Sequence, residues 1–268
     1  MVAVEQKKNP SKKKNRGKTA KLKNKRFYEF KNIAENEYAL YIYGEIVSEK
    51  SFNWFTGEPN ENEVDVSDFK KALADIPDFA TLTMYVNSVG GSVFATSAMV
   101  SMLQRVKSRG VKINAYIDGI ACSCASWLIM VADEINIYKN SVMMIHKPMV
   151  MSYGNANDLQ KDIEVLNKIE DGVIIPIYES KAKSETAVIK ELMNAETWLT
   201  ATEIQEHFNV NLIDEAKEVE NVKSDLFNTY KNTPKAFKEI KQEKKPAEDY
   251  SYYKEILKNL EEKTRCQI

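Results

Sequence analysis

Residues 81–132 read TLTMYVNSVGG-SVFATSAMVSMLQRVKSRG-VKINAYIDGI-ACSCASWLIMVA, and this stretch decides the fold. Thr81–Val86 is rich in β-forming residues and predicts a strand. Asn87–Ser92 carries Gly90 and Gly91 and predicts a turn. Val93–Arg109 places Val93, Val100, Leu103 and Val106 on one helical side, and Gly110 ends that helix. Val111–Ile117 predicts the next strand. A second turn of small residues follows, then a buried helix over Cys122–Ala132. Strand, turn and helix thus recur twice in succession. Such a repeat calls for parallel strands joined by helical crossovers, an α/β fold.

The flanking sequence fits that frame. Tyr38–Ile46 alternates as a strand, and residues 53–62 predict a loop around Gly57 and Pro59. Asp65–Ile76 has helical spacing at Val66, Phe69, Leu73 and Ile76, with Asp65 or Ser67 as cap. Glu134–Tyr138 and Val142–His146 predict two more strands. Ala156–Lys183 is a long helical pattern with a kink expected near Pro176. Glu185–Asn194 predicts a further helix. Another begins at Thr200, where Thr200 and Glu203 have capping-box spacing.

Composition bounds the rest. The chain has 268 residues, 43% hydrophobic and 29% charged, enough for one substantial core with tails. No apolar run is long enough to span a bilayer. The lysine-rich start lacks the apolar stretch of a secretory signal. Three cysteines make no disulfide framework and point to a reducing, cytosolic setting. Cys122 and Cys124 form a lone C-x-C pair, too few ligands for zinc, and no cofactor or metal is expected. The formal net charge of −1 hides an asymmetry. Residues 1–26 hold eleven basic side chains and one acid, Glu5, leaving 27 basic and 38 acidic groups in the remainder. The expected organisation is therefore a basic disordered arm over 1–27, a folded domain over 28–228 and a charged tail over 229–268. Counterion release would let the arm touch nucleic acid. Without aromatic interleaving or a folded module, that use is weaker than a solvated tail.

The chemistry gathers at two places. Ser123 stands on a strand-to-helix turn among Ala121, Cys122, Cys124 and Ala125. His146, one of only two histidines, closes a strand of apolar residues. A serine hydroxyl is a poor nucleophile until a base takes its proton, and imidazole is the usual base near neutral pH. The N–H of Cys124, at a helix N-terminus, is a natural oxyanion donor, and the Gly90–Gly91 turn can bring a second N–H close. A cysteine nucleophile is disfavoured, because Cys122 and Cys124 flank the serine position instead of occupying it. His207 lies outside any motif and is expected to be structural or at the surface.

Four motifs occur in order: Asn87-Ser88-Val89-Gly90-Gly91, Gly119-Ile120-Ala121-Cys122-Ser123-Cys124-Ala125, Met144-Ile145-His146-Lys147-Pro148 and Glu196-Thr197-Trp198-Leu199-Thr200. Together they resemble the Clp protease proteolytic subunit family, and most of all its phage branch, the head-maturation (prohead) proteases. The resemblance covers about residues 39–215. It implies a Clp/crotonase-type spiral of ββα units with a protruding handle helix, here about Ala156–Lys183. It implies Ser123 as nucleophile, His146 as base, and Gly91 and Cys124 as oxyanion donors. The third triad member falls at Glu196, where the family proper has aspartate; Asp158 and Asp162 are the rivals. Val89 replaces the family's proline, which removes a φ restraint and no chemistry.

The function implied is a serine endopeptidase, with no ATPase motif of its own, that processes phage scaffold and capsid proteins. It would act as a ring-like homo-oligomer in the host cytoplasm, in or on assembling proheads, with any unfoldase a separate chain and no membrane involved. Self-cleavage of the tails is a further expectation. The alternative is a catalytically silent scaffold protein on the same fold. A crotonase-type acyl-CoA enzyme would share the fold and leave the serine and histidine without a task.

Overall fold

The computed structural model describes residues 28–219 and 222–238. The basic arm and most of the charged tail lie outside the described residues. Strand β1 (Tyr28–Ala34) turns through Asn36 into β2 (Glu37–Val47) and pairs with it antiparallel. A long loop leads to the short β3 (Glu63–Asp65) and α1 (Val66–Ala74). Asp65 caps α1 by accepting from the Asp68 N–H. Then come β4 (Thr81–Gly91), α2 (Val93–Lys107), β5 (Lys112–Cys122), α3 (Cys124–Leu128) with a 3-10 turn, β6 (Glu134–Tyr138) and β7 (Val142–Ile145). The rest comprises α4 (Ala156–Ile169), α5 (Ile175–Glu179), α6 (Thr186–Asn194), β8 (Thr197–Thr200), α7 (Ala201–His207), β9 (Asn211–Ile213), α8 (Leu226–Thr229) and α9 (Lys235–Lys238).

The sheet runs β1-β2-β4-β5-β6-β9, and all neighbours beyond β1 are parallel. The expected α/β class with helical crossovers is what the chain adopts. Period-two alternation sends Leu40 and Ile42, Leu82, Met84 and Val86, and Ile113, Ala115 and Ile117 to one fully buried face. Each of the larger side chains contributes roughly 1.5–3 kcal/mol by leaving water. The opposite face carries a row of rings, Tyr41 stacked on Tyr85 and Tyr85 on Tyr116, with Tyr138 tilted at its end.

Strand β5 divides between two partners. Its first half pairs with β6, while Ile120–Cys122 pairs with β7, which in turn pairs antiparallel with β8. That division, the turn of a spiral, carries the end of β5 away from β6 and toward the residues around His146.

Three expectations change. The glycine segment 87–92 is strand through Gly91 instead of a turn, with register shifts against β2 and β5 that absorb its irregularity. The long helix is interrupted before Pro176 by a π-helical turn, Glu170–Ile174. Proline has no N–H, and its ring opposes the carbonyl four residues back, so the helix widens there instead of simply bending. The core also does not stop at Asn228. Tyr230 and Thr233 are buried, and Phe237 packs on a second apolar cluster with Val89, Ile120, Cys122, Met144, Trp198 and Phe227.

Helix α4 buries none of its residues, and Leu159, Ile163 and Val165 stand exposed along it. Its start is well formed: Asn155 and Asp158 make a reciprocal capping box. Among the described residues no helix is long and apolar enough to cross a membrane.

Candidate active site

Ser123 sits where β5 becomes α3, at φ 53° and ψ −128°. This left-handed conformation is costly for a residue with a side chain and is found where surrounding contacts enforce it. Here the contacts are visible. The Ser123 N–H donates to the Met144 carbonyl at 2.8 Å, tying the turn to β7. The Ser123 carbonyl accepts from the Ser126 hydroxyl and from the Ser126 N–H. Ser126 is fully buried and also bonds the buried Tyr178 hydroxyl of α5 at 2.6 Å. Neither Ser126 nor Tyr178 had a sequence signal beyond apolar surroundings.

Residue His146 follows β7 directly. Its Nε2 lies 2.7 Å from Ser123 Oγ, within direct hydrogen-bond reach. The two strands that carry the pair are neighbours through the Cys122–Met144 register, so the sheet itself sets this distance. Burial pushes the imidazole below its usual basicity, and the Glu196 carboxylate acts in the opposite direction. The ring is therefore neutral at neutral pH, the state in which it can accept the serine proton.

Strand β4 brings the glycines against the serine turn. A Cβ on Gly90 would stand 2.5 Å from the Cys122 carbonyl oxygen and 2.7 Å from Ser123 Cβ, so only glycine allows this approach. The same Cβ would stand 3.1 Å from the Cys124 nitrogen, so the glycine pair of β4 lies against the first N–H of α3. Gly91, the next residue of β4, is thereby carried to the same side of the turn as Cys124. Both neighbouring thiols are buried, and desolvation pushes Cys124 up to about 12 and Cys122 higher still. Neither is poised as a nucleophile.

Glu196 is buried and takes a positive φ of 51° just before β8. Its field reaches His146, but no hydrogen bond joins the two among the described residues. Its Oε1 instead accepts the Asn232 N–H at 2.6 Å, while Asn232 Nδ2 donates to the carbonyls of Ala195 and Glu196. Asp158 is used in the α4 cap, and Asp162 accepts from the Ser152 hydroxyl. His207 pairs with Ser184 Oγ at 2.9 Å, a structural contact. Trp198 sits in the second apolar cluster, as a core anchor would. The methionines divide, with Met143 and Met144 buried and Met149 and Met151 exposed.

Tyr230 was missed at the sequence level. Its ring meets the His146 ring edge-on at 5.2 Å, and its hydroxyl donates to the Val89 carbonyl at 2.7 Å. The available signal was the aromatic trio Phe227, Tyr230 and Phe237 inside an otherwise charged stretch.

Fold and geometry together define a parallel α/β protein with a serine–imidazole pair at a strand-to-helix elbow and glycine backbone packed against it. Comparison with known proteins agrees. The Clp protease family profile matches residues 71–215. The chain is 27% identical over 136 residues to an ATP-dependent Clp protease proteolytic subunit of Bacteroides fragilis, covering 50% of this chain and 62% of that one. It is 26% identical over 178 residues to the subunit of Lobularia maritima, covering 64% and 87%. It is 28% identical over 141 residues to that of Chara vulgaris, covering 52% and 63%. The chain spans about three fifths of the length of the two Bacteroides fragilis relatives. This chain belongs to the Clp protease family.

Proposed function

We propose that the protein is a serine endopeptidase in which Ser123 attacks the scissile carbonyl and His146 takes its proton and returns it to the leaving amine. The observation that carries this reading is the 2.7 Å separation of Ser123 Oγ from His146 Nε2. The N–H groups of Gly91 and Cys124 receive the oxyanion. Glu196 supports the imidazolium through its field and takes the third place of a triad. No step needs a metal or an organic cofactor.

We place it in the phage head-maturation branch, acting on scaffold and capsid proteins in the host cytoplasm. The support is the motif series, above all Glu196-Thr197-Trp198-Leu199-Thr200 with glutamate where the family proper has aspartate. A ring of identical subunits fits the bare handle, since Leu159, Ile163 and Val165 on α4 have apolar surface that a second copy of the helix would bury. Any unfoldase is a separate chain. The protease domain extends past Asn228 to include the buried Tyr230 and Thr233, with the basic arm as an appendage.

The test uses wild type and Ser123→Ala with the matching scaffold and capsid proteins. Wild type cleaves them and Ser123→Ala does not. Equal processing by both overturns the proposal, and cleavage of unrelated unfolded chains with the capsid proteins left intact overturns the phage assignment alone.

A further inference from the structure

The segment Val222–Lys238 crosses the candidate active site. Tyr230 contributes the central contact, only 2% exposed between the His146 ring and the Val89 carbonyl. That carbonyl belongs to the residue before Gly90, which packs directly against Ser123, so the phenol and the serine share one corner of the site. A scissile carbonyl must come to about 3 Å from a nucleophile to react. The phenol packs beside that approach, edge-on to His146 and bonded to Val89. On either side the segment is anchored: Phe237 stacks on Trp198 and on Phe227, Phe227 meets Trp198 at a tilt, and the Thr233 hydroxyl is buried against the carbonyls of Phe227 and Tyr230.

A second contact bears on the chemistry. The Asn232 N–H occupies Glu196 Oε1, and the Asn232 side chain holds the carbonyls of Ala195 and Glu196. A carboxylate oxygen already bonded to a backbone N–H is less available to an imidazole. The segment therefore crowds the approach to the serine and engages the acid at the same time. These two contacts sit two residues apart on one strap, whose anchors are aromatic rings and not covalent links.

We infer that residues 222–238 form an intramolecular inhibitor, a strap that must leave before a peptide substrate can enter. The inference rests on the proposed peptidase site. The closed strap lowers the apparent reactivity of Ser123 to its intrinsic value times the fraction of molecules in which the site is open. Weakening the strap raises it.

The experiment measures the rate at which a fluorophosphonate probe labels Ser123 in the full-length chain. Wild type, Tyr230→Ala and Asn232→Ala are compared, with Ser123→Ala as blank and a melting curve for each. Tyr230→Ala removes the central contact, and Asn232→Ala loosens the strap without touching the aromatic cluster, so one variant remains informative if the other fails to fold. The expected result is labelling about tenfold faster in Tyr230→Ala, and faster to a smaller degree in Asn232→Ala. A peptide of residues 224–238 added to Tyr230→Ala slows labelling again, and the same peptide with alanine in place of the tyrosine does not. Labelling equal to or slower than wild type in the folded variants overturns the inference, because Tyr230 and Asn232 would then help to build the site. No labelling above the blank in any folded chain overturns the peptidase proposal itself, and the strap with it.

Discussion

Replacing Gly90 by alanine separates two costs that the structure places at one residue. The first is conformational. Gly90 has φ +88°, and an L side chain there costs about 1–2 kcal/mol. The second is steric, and it falls on the serine turn. The new methyl would lie 2.5 Å from the Cys122 oxygen, 2.7 Å from Ser123 Cβ and 3.1 Å from the Cys124 nitrogen. Two of these atoms are backbone, so β4 or the turn must move by roughly 0.7–1 Å to reach ordinary van der Waals contact. At Gly90 the strand is paired with β2 through Glu45, its pairing with β5 having ended at Ser88, and the serine turn is tied to β7 through the Met144 carbonyl, so the turn shares the movement. A displacement near 1 Å takes Ser123 Oγ out of its 2.7 Å contact with His146 and costs about 100-fold in reactivity. The combined strain of about 2–4 kcal/mol lowers the melting temperature by roughly 5–15 °C. Gly57 provides the control, with φ +68° and nothing within 4 Å of an added Cβ. Gly57→Ala should melt only about 2–4 °C lower and label at the wild-type rate. The assays are fluorophosphonate labelling followed by intact mass, and thermal denaturation. If Gly90→Ala labels within about threefold of wild type and melts like Gly57→Ala, the close approach of β4 to the serine turn is wrong.

The other predictions concern charge and burial around the same turn. Because burial lowers His146 and Glu196 raises it, the labelling rate should rise with pH to a half-maximum below the usual imidazole value of about 6.5, and Glu196→Gln should move that midpoint lower still; an upward move would refute the assigned field. Iodoacetamide at pH 8 should leave Cys122 and Cys124 unmodified until the protein is denatured, and alkylation of either in the folded chain, read by peptide mass, would contradict their burial. Lys147 reaches the buried Glu170 carboxylate at 3.3 Å and ties the histidine segment to the π-helical turn. Lys147→Ala should cost about 1–2 kcal/mol, less than a fully buried pair because the lysine is half exposed, and an unchanged melting curve would show the contact to be idle.

Much of the fold was legible because its elements obey local rules. Leu82, Met84 and Val86 alternate, Val100, Leu103 and Val106 follow a helical stripe, and Thr200 with Glu203 announces a cap that forms as written. The misreadings lie where tertiary contacts override those rules. Residues 87–91 have turn composition, yet they stay in the sheet because Ser88 Oγ bonds the Gly44 carbonyl and the Asn87 side chain accepts the Ile120 N–H. Those bonds come from strands 44 and 33 residues away, and no window of local sequence contains them. The π-helical turn likewise follows from how one proline is absorbed, where a kink would have met the same constraint.

The site divides along the same line. Ser123 and His146 were legible because each sits in a short motif whose chemistry needs that residue type. Their 2.7 Å contact is a product of one register pair, Cys122 with Met144. The residues that hold the serine turn, Ser126 and Tyr178, are 52 positions apart, and those that cover it, Tyr230 and Asn232, lie in a stretch whose lysines and glutamates read as solvated. Charge composition predicts an unattached chain only when no apolar residues in it find a surface. Phe227, Tyr230 and Phe237 find one because β7 and β8 present Met144 and Trp198 beside the serine, away from the main core. The division of β5 between two partners that brings Ser123 to His146 therefore also creates the apolar surface on which residues 227–237 lie. The serine–imidazole pair and the proposed strap over it have a common origin in the fold, and a variant that weakens one without the other must act on the strap's own side chains.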